Sequence, residues 1–107
     1  MSTIVILDDN NFDNTIKSHD ICVVQFYAQW CSPCMSIAPL FNKIADEMKN
    51  KYFFAKVDVD SSDYIVSKYN ILNVPITLLF QSGILLERLL GAYSYTQFFT
   101  FLNKNLK

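Results

Sequence analysis

Residues 21–27, Ile21-Cys22-Val23-Val24-Gln25-Phe26-Tyr27, form an apolar run of strand length with one amide inside it. A strand with one wet face alternates apolar and polar residues. This run does not, so it reads as a central strand covered on both faces. Downstream, Ile37, Leu40, Phe41, Ile44, Ala45 and Met48 recur at i, i+3, i+4, i+7, i+8 and i+11. That spacing is one apolar stripe on a helix spanning residues 35–49. Pro39 falls inside it and removes an amide donor, so a kink is expected. A doubly covered strand feeding a long amphipathic helix needs further strands beside it and helices on its other face. The class is α/β.

The remaining segments fill that frame. Residues 3–7 are a short β-branched run ended by Asp8-Asp9-Asn10, hence a strand and a turn. Phe12 and Ile16 stand at i, i+4 in a polar surround, a short helix. Residues 52–59 read as another strand, after which Asp60 is expected to cap a short helix reaching about Tyr69. Residues 77–80 and 84–88 flank Gln81-Ser82-Gly83 as a β-hairpin. Ser94 and Gln97 form a capping box for a last helix, with Phe98, Phe101, Leu102 and Leu106 inward. The order is β-α-β-α-β-α-β-β-α, a mixed central sheet with helices on both faces. No repeat or linker interrupts it, so residues 1–107 are read as one domain.

Composition removes several function classes. Of the 107 residues 51% are hydrophobic and only 18% charged, with a net charge of -1. Disorder and an electrostatic footprint for nucleic acid or anionic membrane are both excluded. Two long uncharged stretches, residues 21–42 and 69–86, are broken by proline, amides and hydroxyls, so neither reads as a membrane span. Residues 1–9 lack a basic region and a long apolar core, so no signal peptide is expected and the chain reads as a soluble cytoplasmic protein; a monomer is expected. Three cysteines do not make a disulfide framework.

The chemistry concentrates in Trp30-Cys31-Ser32-Pro33-Cys34, where the buried strand gives way to the long helix. A helix N-terminus offers unpaired amides and partial positive charge, which favour a thiolate. Cys31 is expected at the N-cap and exposed, with Cys34 one turn in and less accessible. Two intervening residues bring the sulfurs within disulfide reach, giving an activated nucleophile and a built-in resolving thiol. The pair could instead be packed as inert core thiols. A zinc site is the other alternative, since His19, Cys22, Cys31 and Cys34 are formally a Cys3His set. Against it, the strand carries the chain about 17 Å away from Cys22. Cys22 is read as a core thiol and His19 as a surface loop residue, with no metal site.

The stretch from Val23 to Cys34 resembles the active-site strand and turn of the thioredoxin family. Ile37-Ala38-Pro39 is similar to that family's kinked helix, and Val74-Pro75 before Thr77-Leu78-Leu79-Phe80 to its cis-proline strand. Gln81-Ser82-Gly83 and Gly91-Ala92 fall at its hairpin turn and late glycine. The resemblance implies the thioredoxin fold and protein-disulfide reductase activity, with Cys31 attacking a client disulfide and Cys34 resolving the mixed disulfide. It implies no bound cofactor, with reducing equivalents from a thioredoxin reductase and ultimately NADPH. Trp30, Pro33, Val74, Pro75, Gly91 and Ala92 would form the uncharged surface met by disulfide-bearing clients of peroxiredoxin-like and reductase types. An apolar platform accepts many extended peptides, whereas a charged one selects by sign. A cis Val74–Pro75 bond is expected on the same ground.

Three positions depart from the pattern. Ser32 replaces the usual glycine, and Met35 the lysine that commonly follows the second cysteine. Gln25 stands where the family has a buried aspartate, and an amide cannot act as a base. Lys56, which matches that aspartate's neighbour, is left without a carboxylate. Slower resolution is expected, not lost activity. Pro33 favours a reductase over the oxidase and isomerase relatives, which the resemblance associates with histidine there. The alternatives are a binding module of the same fold, or a metal or iron–sulfur carrier, with regulatory cysteines.

Overall fold

The computed structural model describes residues 3–105. The chain runs β1 (Val5–Leu7), α1 (Phe12–Ser18), β2 (Ile21–Tyr27), α2 (Ser32–Met48), β3 (Phe53–Asp58), a 3-10 turn (Val59–Ser61), α3 (Asp63–Lys68), β4 (Ile76–Gln81), β5 (Ile84–Leu90) and α4 (Tyr95–Asn105). The five strands lie in the order β1-β3-β2-β4-β5. β3 pairs in parallel with β1 and β2, while β4 is antiparallel to β2 and β5. This is the mixed sheet the element order predicts. β2 is its centre and is buried from Ile21 to Phe26.

Strand alternation sends neighbouring side chains of β2 into two cores. Cys22, Val24 and Phe26 join Phe12 and Ile16 of α1 and Ile65 of α3 on one face. Val23 joins Ile37, Phe41 and Ile44 of α2 and Phe98 and Leu102 of α4 on the other. There the Phe41 ring meets Phe54 edge-on at 5.8 Å and stacks on Phe98 at 5.7 Å. Each such buried ring contributes roughly 1.5–3 kcal/mol.

Most differences from expectation lie at element ends. β1 begins at Val5, and β5 extends to Leu90. α2 starts at Ser32 and continues helically through Pro39 to Met48. The inward position expected for Leu106 lies outside the described residues. The hairpin closes through Ser82 and Gly83, both at positive φ, between the paired residues Gln81 and Ile84. Gly83 is required twice over, because a Cβ there would also lie 2.8 Å from Cγ of Lys17. α4 opens on the expected box: the Gln97 amide donates to Ser94 Oγ at 3.1 Å, and the Ser94 amide to Gln97 Oε1 at 2.8 Å.

Asp60 does not cap α3. The chain first makes the 3-10 turn, with Asp58 Oδ1 accepting from the Asp60 amide at 2.9 Å, and α3 begins only at Asp63. Its first amides are satisfied from far along the chain. The Asp9 carboxylate accepts from the Tyr64 and Ile65 amides at 3.1 Å each.

Candidate functional site

β2 ends at Tyr27 and α2 begins at Ser32, so a short connection presents Cys31 as the N-cap of α2. Pro33 fits the helix's first turn because an amide there needs no partner within the helix. Cys31 and Cys34 are joined as a disulfide, with their Cα atoms 5.3 Å apart. The Cys34 amide donates to Cys31 Sγ at 3.2 Å. In the reduced protein that N–H group, at the positive end of α2, stabilises a Cys31 thiolate.

The opposite wall comes from topology. β4 runs antiparallel to β2, with Phe26 opposite Ile76, so the residues preceding β4 lie beside those following β2. The Val74–Pro75 bond there is cis, as the resemblance implies. Cys31 Sγ is 3.8 Å from the Val74 carbonyl oxygen. The Gly91 amide donates to the Pro75 carbonyl at 2.9 Å, which ties the end of β5 to the same loop. Gly91 sits at φ +80, where a side chain is strained.

Exposure divides the six surface positions. Trp30, Pro33 and Ala92 are exposed, Val74 and Gly91 half-buried, and Pro75 buried. Pro75 thus contributes shape beneath the surface and little area to it. Cys31 corrects another expectation: it is only 4% exposed against 1% for Cys34, because Ala28, Val59 and Val74 pack around the pair. The two sulfurs therefore differ in position along α2 more than in accessibility. Trp30 is 71% exposed, and its Nε1 donates to Asp60 Oδ2 at 2.9 Å. Beside it lies a cleft of about 290 Å³ lined by Trp30, Val59, Val66, Ile71, Leu72 and Val74. Ile71 and Leu72 carry no local motif, so sequence reading does not find them, and it assigns Asp60 to a helix cap rather than to Trp30.

Gln25 is fully buried and lies between Lys56 on β3 and Thr77 on β4. The Tyr93 hydroxyl donates to its Oε1 at 2.5 Å. Tyr93 is a further residue that sequence reading does not single out. Burial pushes the Tyr93 phenol above its ordinary range and holds the Lys56 ammonium below its own. The Lys56 cation lies over the rings of Tyr27 at 5.6 Å and Phe41 at 5.7 Å.

His19 and Cys22 stand at the start of β2, the far end from Cys31. His19 is half-buried rather than free in a loop, its ring stacked on Phe53 at 3.9 Å and Nδ1 3.0 Å from the Thr15 carbonyl oxygen. Cys22 is a free, buried thiol, pushed up to about 11 by desolvation. No three His, Cys, Asp or Glu residues converge on a metal position among the described residues. No helix among them is long and apolar enough to cross a membrane.

The family model described as Thioredoxin matches residues 3–104. A thioredoxin of Buchnera aphidicola subsp. Schizaphis graminum is 34% identical over 108 residues, covering 100% of both chains. A thioredoxin of Buchnera aphidicola subsp. Baizongia pistaciae is 37% identical over 105 residues, covering 97% of this chain and 96% of that one. The bifunctional thioredoxin reductase/thioredoxin of Mycobacterium leprae is 34% identical over 90 residues, 84% of this chain but only 20% of that protein. Matched by the family model over residues 3–104 and by a full-length thioredoxin at 34% identity, with a disulfide-distance cysteine pair at the head of α2, the chain belongs to the thioredoxin family, the dithiol–disulfide oxidoreductases.

Proposed function

We propose that residues 1–107 work as one thioredoxin domain, a monomeric general protein-disulfide reductase of the cytoplasm. Cys31 attacks a client disulfide as the thiolate, forming a mixed disulfide. Cys34 then attacks the Cys31 sulfur, the Cys31–Cys34 bond forms, and the client leaves as a dithiol. The observation that carries this reading is the Cys31–Cys34 disulfide at the head of α2, with the Cys34 amide directed at Cys31 Sγ.

Clients dock on Trp30, Pro33, Val74, Gly91 and Ala92 over the buried Pro75, with apolar side chains entering the cleft beside Trp30. The absence of charged side chains among these residues supports tolerance of many peptides. Oxidised protein is returned to the dithiol by a thioredoxin reductase drawing on NADPH. The Mycobacterium leprae relative, named for both activities, supports that partnership.

Insulin reduction coupled to a thioredoxin reductase and NADPH tests the reading. The protein is expected to turn over many times, Cys31→Ser to be inactive, and Cys34→Ser to accumulate mixed disulfides. Full multi-turnover activity in Cys34→Ser would reverse the assigned roles.

A further inference from the structure

The sheet face beneath α2 carries a polar row in an apolar core. Lys56, Gln25 and Thr77 are register partners across β3, β2 and β4. Gln25 and Thr77 are fully buried. A buried carboxamide must satisfy both its ends. One end is satisfied, because Gln25 Oε1 accepts the Tyr93 hydroxyl at 2.5 Å. The other is open: Gln25 Nε2 has no partner among the described residues. With its oxygen on the phenol, the amide's N–H group is the end left open.

α2 packs against this same face. Cys34, Ile37 and Phe41 are buried at i, i+3 and i+7 on one stripe of the helix. Ile37 and Phe41 pack with Val23 and Phe54, which flank the polar row on its face of the sheet. As the return limb of a parallel crossover, α2 runs back over β2. Cys34, one turn before Ile37, is buried in a cluster with Ala28 against which Tyr27 packs, at the end of β2 two residues beyond Gln25.

We propose that Tyr93 is a positioning residue for the dithiol reaction: by holding the Gln25 oxygen it leaves the amide N–H group to donate a hydrogen bond to the Cys34 thiolate of the reduced protein. Gln25 takes no proton. The Cys34 proton passes to water or hydroxide, and the fixed neutral donor stabilises the sulfur that remains. In the mixed disulfide the Cys34 thiolate, held the same way, attacks the Cys31 sulfur, the Cys31–Cys34 bond forms and the Cys31–client bond breaks. The client sulfur leaves with the electron pair and is protonated by water. The inference rests on Cys34 as the resolving thiol and adds what prepares it.

The test follows the Cys34 Cβ and Gln25 side-chain amide resonances by NMR in the reduced protein as pH is raised. The Gln25 amide protons are expected to shift with the same midpoint as Cys34. Tyr93→Phe should raise that midpoint by about one pH unit and slow client release at pH 7 about tenfold. Gln25→Met should do the same, and adding Tyr93→Phe to it should shift the midpoint no further. Gln25 protons indifferent to Cys34 ionisation in the unsubstituted protein would overturn the proposal, whether or not the variants fold. So would a folded Tyr93→Phe with the Cys34 midpoint unchanged and only stability reduced. Trapping with Cys34→Ser reads the resolving role separately, so the two failures are distinguishable.

Discussion

Lys56 shows what one cation does when its partner is an amide. Its ammonium lies over the rings of Tyr27 and Phe41, with Gln25 as its neighbour on β2. Burial holds its pKa below the ordinary lysine value of 10.5, so in the folded state the charged form is disfavoured. The unfolded chain therefore binds the proton more tightly, and the penalty on folding is complete below the folded value. It is relieved as pH rises towards 10.5. Lys56→Met, which keeps the stem and removes the charge, should stabilise the protein by about 0.5–1 kcal/mol at pH 7. Urea unfolding should show the gain shrinking as pH rises towards 10.5, and a loss of stability at pH 7 would mean that the ring contacts outweigh desolvation. Residues of this kind are half legible in sequence. Gln25 stands out as an amide in an apolar run, and the Cys31–Cys34 pair by its spacing. Tyr93, 68 positions from Gln25, does not. Nothing local distinguishes a tyrosine whose ring packs from one whose hydroxyl completes a buried pair.

At the scale of elements, two helix starts illustrate what a sequence can carry. The box opening α4 has its donors and acceptors three residues apart, and the structure reproduces it. The start of α3 is satisfied by Asp9, 55 and 56 positions away from the amides it accepts. Asp60, the local candidate, is engaged instead by the Trp30 indole and serves the surface around Cys31. A propensity argument sees only nearby side chains, so it assigns the cap to the wrong aspartate. Asp9→Ala strips a carboxylate from two backbone amides and should destabilise the protein by about 1–2 kcal/mol. The expected signature is a lower urea midpoint at unchanged slope. Asp60→Ala should leave the midpoint nearly unchanged while loosening Trp30, visible in its fluorescence. If the two variants exchanged these effects, the assignment of the cap would fail.

For the whole molecule, element order carries most of the architecture. Alternating strands and helices demand parallel pairing, and the late hairpin adds antiparallel strands. Together they bring the loop before β4 against the end of β2, where Val74 meets Cys31. The same central strand carries the chemistry at one end and a plain core thiol, Cys22, at the other. Burial of that thiol predicts a fold that weakens in alkali. Desolvation moves Cys22 from an ordinary value of 9.0 up to about 11, so the folded state keeps its proton where the unfolded chain loses it. The contribution to stability is fully present below pH 9 and falls away as pH rises towards 11. Tyr93, raised by burial from 10.0, adds a loss of the same sign that begins higher. Unfolding free energies measured by urea from pH 7 to 10.5 should therefore fall steeply above pH 9. A background of Cys31→Ser and Cys34→Ser removes disulfide exchange from the measurement. Adding Cys22→Ala should lower stability at pH 7 by about 1 kcal/mol through the lost sulfur contacts, yet flatten the decline between pH 9 and 10.5. A decline just as steep without Cys22 would place the alkaline sensitivity elsewhere in the fold.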